Sequence, residues 1–179
     1  MIYRVLLVED DPANAQLVQA SCELAGLEAH KVSSGIEALE YLAVHRVDAI
    51  LMDVSMPQMD GIAVTQRLQK KPETSAIPII FITAMTSKAA ELAALHPAGI
   101  VFKPFSPRVL MALVLETLKH PEEGHTVITS PAQTLGDSID DLTGLGLIQK
   151  PGRVPGQQQE LLAGVPVGSC DAGRQFGRG

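Results

Sequence analysis

The chain has no block of Lys or Arg, and no apolar run approaches the roughly 18–20 residues a membrane span requires. Its formal net charge is −6. These absences argue against duplex DNA, or an anionic membrane held by general electrostatics, as a partner. The opening MIYRVLLVED has one Arg and then acids, without the pattern of a signal peptide. Cysteine is scarce: Cys22 and Cys170 lie far apart with no metal-ligand spacing. They read as free thiols in a reducing cytoplasm. The five histidines are scattered, again without ligand spacing. Residues 121–179 show no helix-turn-helix, zinc spacing, phosphodiesterase signature or cyclase signature.

A length of 179 residues suits one ordinary domain with an appendage. Two materials meet near residue 120. Residues 121–179 hold most of the 15 glycines, and Gly and Pro interrupt every helical window there. That tail is expected to be mostly irregular, with no recognisable output domain. Residues 1–120 instead alternate short apolar runs with helix-period segments. YRVLLV, EAHKV, DAILMD, IPIIFIT and GIVFK read as strands. The first helix is expected to follow Asp11 as N-cap and Pro12 at its first position, with Gly26 as its stop. Ala13, Leu17, Ala20, Leu24 and Leu27 would form its apolar face. In the second helix Ile36, Leu39, Leu42 and Ala43 would lie on one side. Asp60 would cap the third helix, and Ser106 with Pro107 would open the last. Strands and helices in strict alternation predict stacked βαβ units and a parallel sheet. The wholly apolar AILM and PIIFI runs fit strands covered on both faces.

In such a sheet the ligand site lies beyond the carboxyl ends of the strands. Glu9 and Asp10 follow the first strand, Asp53 ends the third, Thr83 the fourth and Lys103 the fifth. Three carboxylates converging in one crevice repel one another unless a hard dication joins them, and Mg²⁺ prefers such oxygen ligands. A carboxylate there can act as a nucleophile towards phosphorus, because metal and ammonium neutralise the charge that builds up. Taken singly, Asp53 could be a turn aspartate, Glu9 and Asp10 could complement a helix dipole, and Lys103 could be a solvated lysine. In register they are better explained together.

The stretches VLLVEDDP, LMDVSMPQMDG, FITA and FKPF, in this order and spacing, resemble the receiver domain of bacterial two-component response regulators. The resemblance covers roughly residues 2–120, and as a set of four motifs it is specific. It implies a flavodoxin-like (βα)5 doubly wound sheet with strand order 2-1-3-4-5. It implies that Asp53 takes a phosphoryl group from a sensor histidine kinase or phosphotransfer protein. Asp10 would ligate Mg²⁺ directly, Glu9 through water, and the main-chain carbonyl of Ser55 would complete the set with Asp53. Thr83 and Lys103 would contact the phosphoryl group, and the Lys103–Pro104 peptide would be cis. The sequence departs from the family at Ile100, where an aromatic residue is usual, and between Thr83 and Lys103, which is about two residues short.

The last helix carries Val109, Leu110, Met111, Leu113, Val114, Leu115 and Leu118, apolar on more than one face. The surplus is expected to bury against a second copy, a docking partner or the tail. The leading expectation is a stand-alone cytoplasmic switch that signals to a downstream protein and is not an enzyme in its own right. A docking module that is never phosphorylated is the rival. A phosphotransferring hydrolase ranks last, because Ser55 occupies the place where its second acid would stand.

Overall fold

A computed structural model describes residues 2–121, together with the strand segments 126–129 and 148–149. The elements run β1 Arg4–Val8, α1 Pro12–Leu24, β2 Glu28–Val32, α2 Gly35–Val44, β3 Ala49–Asp53 and α3 Gly61–Gln69. After a single helical turn, Pro72–Ser75, come β4 Ile79–Thr83, α4 Ala89–Ala93, β5 Gly99–Phe102 and α5 Pro107–Lys119. Two further strands follow, β6 Thr126–Thr129 and β7 Ile148–Gln149. The sheet order is β2-β1-β3-β4-β5-β6-β7. Its first five strands are parallel, as the alternation predicts, in the order 2-1-3-4-5 that the resemblance implies. β6 continues the sheet in parallel with β5, and β7 returns antiparallel. Among the described residues no helix is long and apolar enough to cross a membrane.

Strands β1, β3, β4 and β5 are buried on both faces. Leu6, Val8, Ile50, Met52, Phe81 and Ile100 pack with α2, α3 and α4 through Ala38, Leu42, Val64, Leu68 and Leu92. Val5, Leu7, Leu51, Ile80 and Ile82 face the other way, against Ala15, Val18 and Cys22 of α1 and Leu110 and Val114 of α5. Each fully buried side chain of this size contributes about 1.5–3 kcal/mol before entropy is charged against it.

The helix boundaries follow local chemistry. Asp11 Oδ1 accepts from the Asn14 amide at 2.8 Å and Pro12 opens α1. Gly26, at φ 78°, ends it in the left-handed conformation that only glycine adopts at no cost. Asp60 Oδ1 accepts from the Ala63 amide at 2.8 Å and caps α3. Ser106 sits at the N-cap position of α5, but its side chain makes no capping bond.

Two expectations need correction. The buried stripe of α1 is Ala15, Val18 and Cys22 rather than Ala13, Leu17, Ala20 and Leu24. Leu17 is 47% exposed and Leu24 91% exposed. Both stripes keep the three-and-four spacing, and the one with smaller side chains lets α1 sit close between the sheet and α5. In α2 the buried set is Gly35, Ala38 and Leu42, with Ile36 and Ala43 exposed. A Cβ on Gly35 would strike the Val64 side chain and approach the Met59 carbonyl at 3.1 Å, so the missing side chain sets how α2 docks. Most of the apolar surface of α5 packs within the chain. Val109, Leu110, Met111, Val114 and Leu118 are buried, and Leu113 and Leu115 are half-buried. The tail is expected to be mostly irregular, yet it supplies β6 and β7; the rest of that expectation lies outside the described residues.

Cys22 reports on this packing. Burial, with the Glu23 charge adding to it, pushes its thiol from 9.0 up to about 11. The unfolded chain therefore loses its proton first as the pH rises. Stability from the neutral buried thiol is complete below pH 9 and is lost by about pH 11, a change of about 2–3 kcal/mol. Urea unfolding of wild type and Cys22→Ala at neutral and strongly alkaline pH measures this. The wild type should lose more stability than the variant over the interval; equal losses would refute the buried neutral thiol.

Candidate functional site

The strand ends are level. Val8 pairs with Met52, Asp53 with Ile82, and Thr83 with Phe102. Residues just past these positions therefore share one edge. The Glu9 amide donates to the Val32 carbonyl at 3.2 Å, which continues the ladder one residue beyond β1. Glu9 itself is only 2% exposed. Asp10 is exposed at the same rim. Asp11 caps α1, so the three consecutive acids do three different things.

Asp53 is the last residue of β3 and is 5% exposed. Its Oδ1 accepts from the Ser55 amide at 3.0 Å, which places Ser55 at the start of the following loop. That loop folds back tightly, and the Gly61 amide donates to the Val54 carbonyl at 3.1 Å. A Cβ on Gly61 would strike the Asp53 carbonyl oxygen and come within 2.8 Å of Met52 Cγ. Only glycine lets α3 begin this close to Asp53. Thr83 is fully buried, and its hydroxyl oxygen accepts from the Met85 amide at 3.0 Å. The Thr83 carbonyl accepts from the Lys103 amide at 2.8 Å, which fixes the level of Lys103. The peptide between Lys103 and Pro104 is cis, as expected.

Lys103 Nζ donates to Asp53 Oδ2 at 2.7 Å and to Glu9 Oε2 at 2.9 Å and Oε1 at 3.2 Å. These charge-assisted bonds join β1, β3 and β5. Burial alone would lower the Lys103 pKa, but its hydrogen bonds to Asp53 and Glu9 and their charges raise it above the ordinary value. Burial raises the Glu9 pKa, and the neighbouring Asp53 charge adds to this against the opposing pull of Lys103. The site is thus short of positive charge: three carboxylates against one ammonium leave a formal −2.

The donor oxygens of Glu9, Asp10 and Asp53 all lie within 4.8 Å of one another. A hard dication with oxygen preference fits this set in charge, ligand type and spacing. Thus Glu9, Asp10, Asp53, Thr83 and Lys103 are brought to one rim, with Ser55 beside them. Sequence reasoning missed Lys88, whose Nζ lies 3.7 Å from Asp60 Oδ2 and links the loop after β4 to the start of α3. Both partners are substantially exposed, so the pair orients the rim more than it stabilises the fold. No local motif announces it, because the two residues meet only once the loops fold.

Comparison with known proteins agrees with this geometry. Residues 5–115 match the family model described as the response regulator receiver domain. The chain is 32% identical over 148 residues to the response regulator MprA of Mycobacterium sp. (strain KMS), covering 80% of this chain and 62% of that protein. It is 38% identical over 87 residues to the polar-differentiation response regulator DivK of Brucella anthropi, covering 49% of this chain and 71% of that one. The solved structure of the chemotaxis response regulator CheY4 of Vibrio cholerae superposes with a TM-score of 0.61 at 30% identity, over 66% of this chain and 99% of that chain. The chain thus spans less than two thirds of the length of MprA.

The three-way contact makes Lys103→Met informative. It leaves Glu9 and Asp53 buried without their ammonium, which should cost about 3–5 kcal/mol in a chelator. Millimolar Mg²⁺ should recover a larger share of stability in this variant than in wild type. Urea unfolding with and without Mg²⁺ tests both halves, and an undisturbed midpoint in chelator would refute the pairing.

Proposed function

This chain belongs to the response regulator receiver family, and from that premise we propose that it is a stand-alone, Mg²⁺-dependent phosphoryl acceptor whose acceptor is Asp53. The observation that carries the reading is the convergence of Asp53 with Lys103, Glu9 and Asp10 at the carboxyl edge of the sheet. The donor is a phosphohistidine on a sensor kinase or phosphotransfer protein. An Asp53 carboxylate oxygen attacks phosphorus, the P–N bond breaks, and the imidazole leaves with the electron pair and takes up a proton. The Lys103 ammonium, already on Asp53, follows the negative charge to a phosphoryl oxygen. The Thr83 hydroxyl, now an acceptor from the Met85 amide, turns its proton to another phosphoryl oxygen. Glu9, Asp10, Asp53 and the Ser55 main-chain carbonyl would hold Mg²⁺, which supplies the positive charge the formal −2 site lacks.

Signalling in this reading is a population shift of the surface made by α4, β5 and α5, read by a downstream protein in the cytoplasm. Slow loss of the phosphoryl group makes the chain a signalling intermediate rather than an enzyme. DNA is not a direct partner, which the net charge of −6 supports. A second reading, a docking module that is never phosphorylated, draws on two features. Ile100 is fully buried where the family usually has an aromatic residue, and α4 has only five residues.

Intact-mass spectrometry after incubation with acetyl phosphate and Mg²⁺ decides between them. One added phosphoryl group is expected, absent in Asp53→Asn and in chelator. A folded chain that gains no mass, even from a phosphorylated kinase, would favour the docking module.

A further inference from the structure

The two edges of the five-stranded sheet are unlike. The β2 edge presents Glu28, His30 and Lys31 beside a half-buried Ala29. Charges on an edge strand discourage further pairing. β5 reads Gly-Ile-Val-Phe, without a charge or a proline. An uncharged, wholly apolar edge invites another strand. The chain supplies one. Thr126–Thr129 pairs with β5 in parallel, with Val127 opposite Gly99, Ile128 opposite Ile100 and Thr129 opposite Val101. The pairing is parallel because α5 intervenes, so β5, α5 and β6 repeat the βαβ unit on which the rest of the sheet is built. All four residues of β6 are β-branched, the composition that best suits a strand.

We propose that the outer edge of β5 is a strand-docking surface and that Thr126–Thr129 is its built-in occupant, excluding a second copy of this chain from that edge. The assignment rests on the strand pairing and is independent of whether Asp53 accepts a phosphoryl group. It specifies what occupies the β5 side of the chain: an extended, β-branched segment in parallel register. A second copy reaches that side only when the segment is released, because β5 has one outer row of N–H and C=O groups and β6 holds it.

The test uses the full chain carrying Val127→Pro and Ile128→Pro together. Successive residues of a strand turn their N–H groups to opposite neighbours, so one of the two prolines removes a donor on the β5 side whatever the phase. Hydrogen exchange is read at Gly99–Phe102, with Ile50–Met52 of β3 as the folding control. The outward amides of β5 should exchange at least about tenfold faster while β3 is unchanged. The variant should also sediment as a dimer at concentrations where the wild type is a monomer. If β3 loses protection too, Val127→Gly with Ile128→Gly replaces the proline pair, with the same expected direction. Unchanged β5 exchange would overturn the strand's role as a cover. A deprotected but monomeric variant would overturn the exclusion of a second copy. Wild-type β5 protection that rises with protein concentration would show the strand arriving from another copy and overturn the assignment in cis. The mass measurement on Asp53 is read separately, so either idea can fail without the other.

Discussion

Lys103 Nζ, held 2.7 Å from Asp53 and 2.9 Å from Glu9, is the contact on which the carboxyl edge depends. Two nearly buried carboxylates at the ends of β1 and β3 would repel each other and lack water to solvate them. The effective penalty for such ions is several kcal/mol each, and one ammonium with three donors offsets a large part of it. By contrast, the Arg4–Glu28 pair at 3.8 Å is exposed on both sides and is worth about 0–1 kcal/mol. The rim therefore lowers net stability, and the apolar sheet beneath it makes up the difference. A chain selected for stability alone would place apolar residues there. One that keeps three acids and one lysine together has a use for unbalanced charge.

That use constrains the backbone around it. Lys103 reaches both acids because its amide is fixed to the Thr83 carbonyl at 2.8 Å, and Thr83 ends the strand beside Asp53. Asp53 is held by the Ser55 amide on one oxygen and by Lys103 on the other. Gly61 lets α3 start against the Asp53 backbone. The same residue makes the MDG sequence a packing requirement as well as a helix start. Substituting Gly61 would force the loop away from Asp53 and displace that carboxylate.

The parts legible in the sequence were those set by local rules or by chain order. Strand ends, the Asp11 and Asp60 caps and the Gly26 stop follow from short-range chemistry. Once the sheet is parallel, chain order puts Glu9, Asp10, Asp53, Thr83 and Lys103 at one edge. The illegible parts were choices between equal patterns. α1 carries two stripes with the same spacing, and contact with the sheet and α5 selects Ala15, Val18 and Cys22, which periodicity cannot do. TVIT is a clear β-branched run, but it lies in a stretch whose glycines and prolines dominate any longer window. The Lys88–Asp60 pair exists only because two loops meet.

β5 gathers these threads. Its C-terminal end positions the ammonium, its inner side carries Ile100, and its outer edge carries β6. Ile100 lies opposite Phe81, and Phe102 opposite Thr83, so the side chain level with the threonine is Phe102. A β-branched Ile100 in a filled core has few rotamers to exchange. Movement of Thr83 towards a phosphoryl group would then pass to β5 through the Thr83–Lys103 backbone hydrogen bond rather than through an aromatic flip. A shift carried by the backbone displaces the whole strand, including the row of groups on which β6 pairs. An aromatic rotamer could leave that row in place. If Asp53 accepts a phosphoryl group, charge at the end of β5 and the cover on its edge would then be coupled through the backbone of one strand.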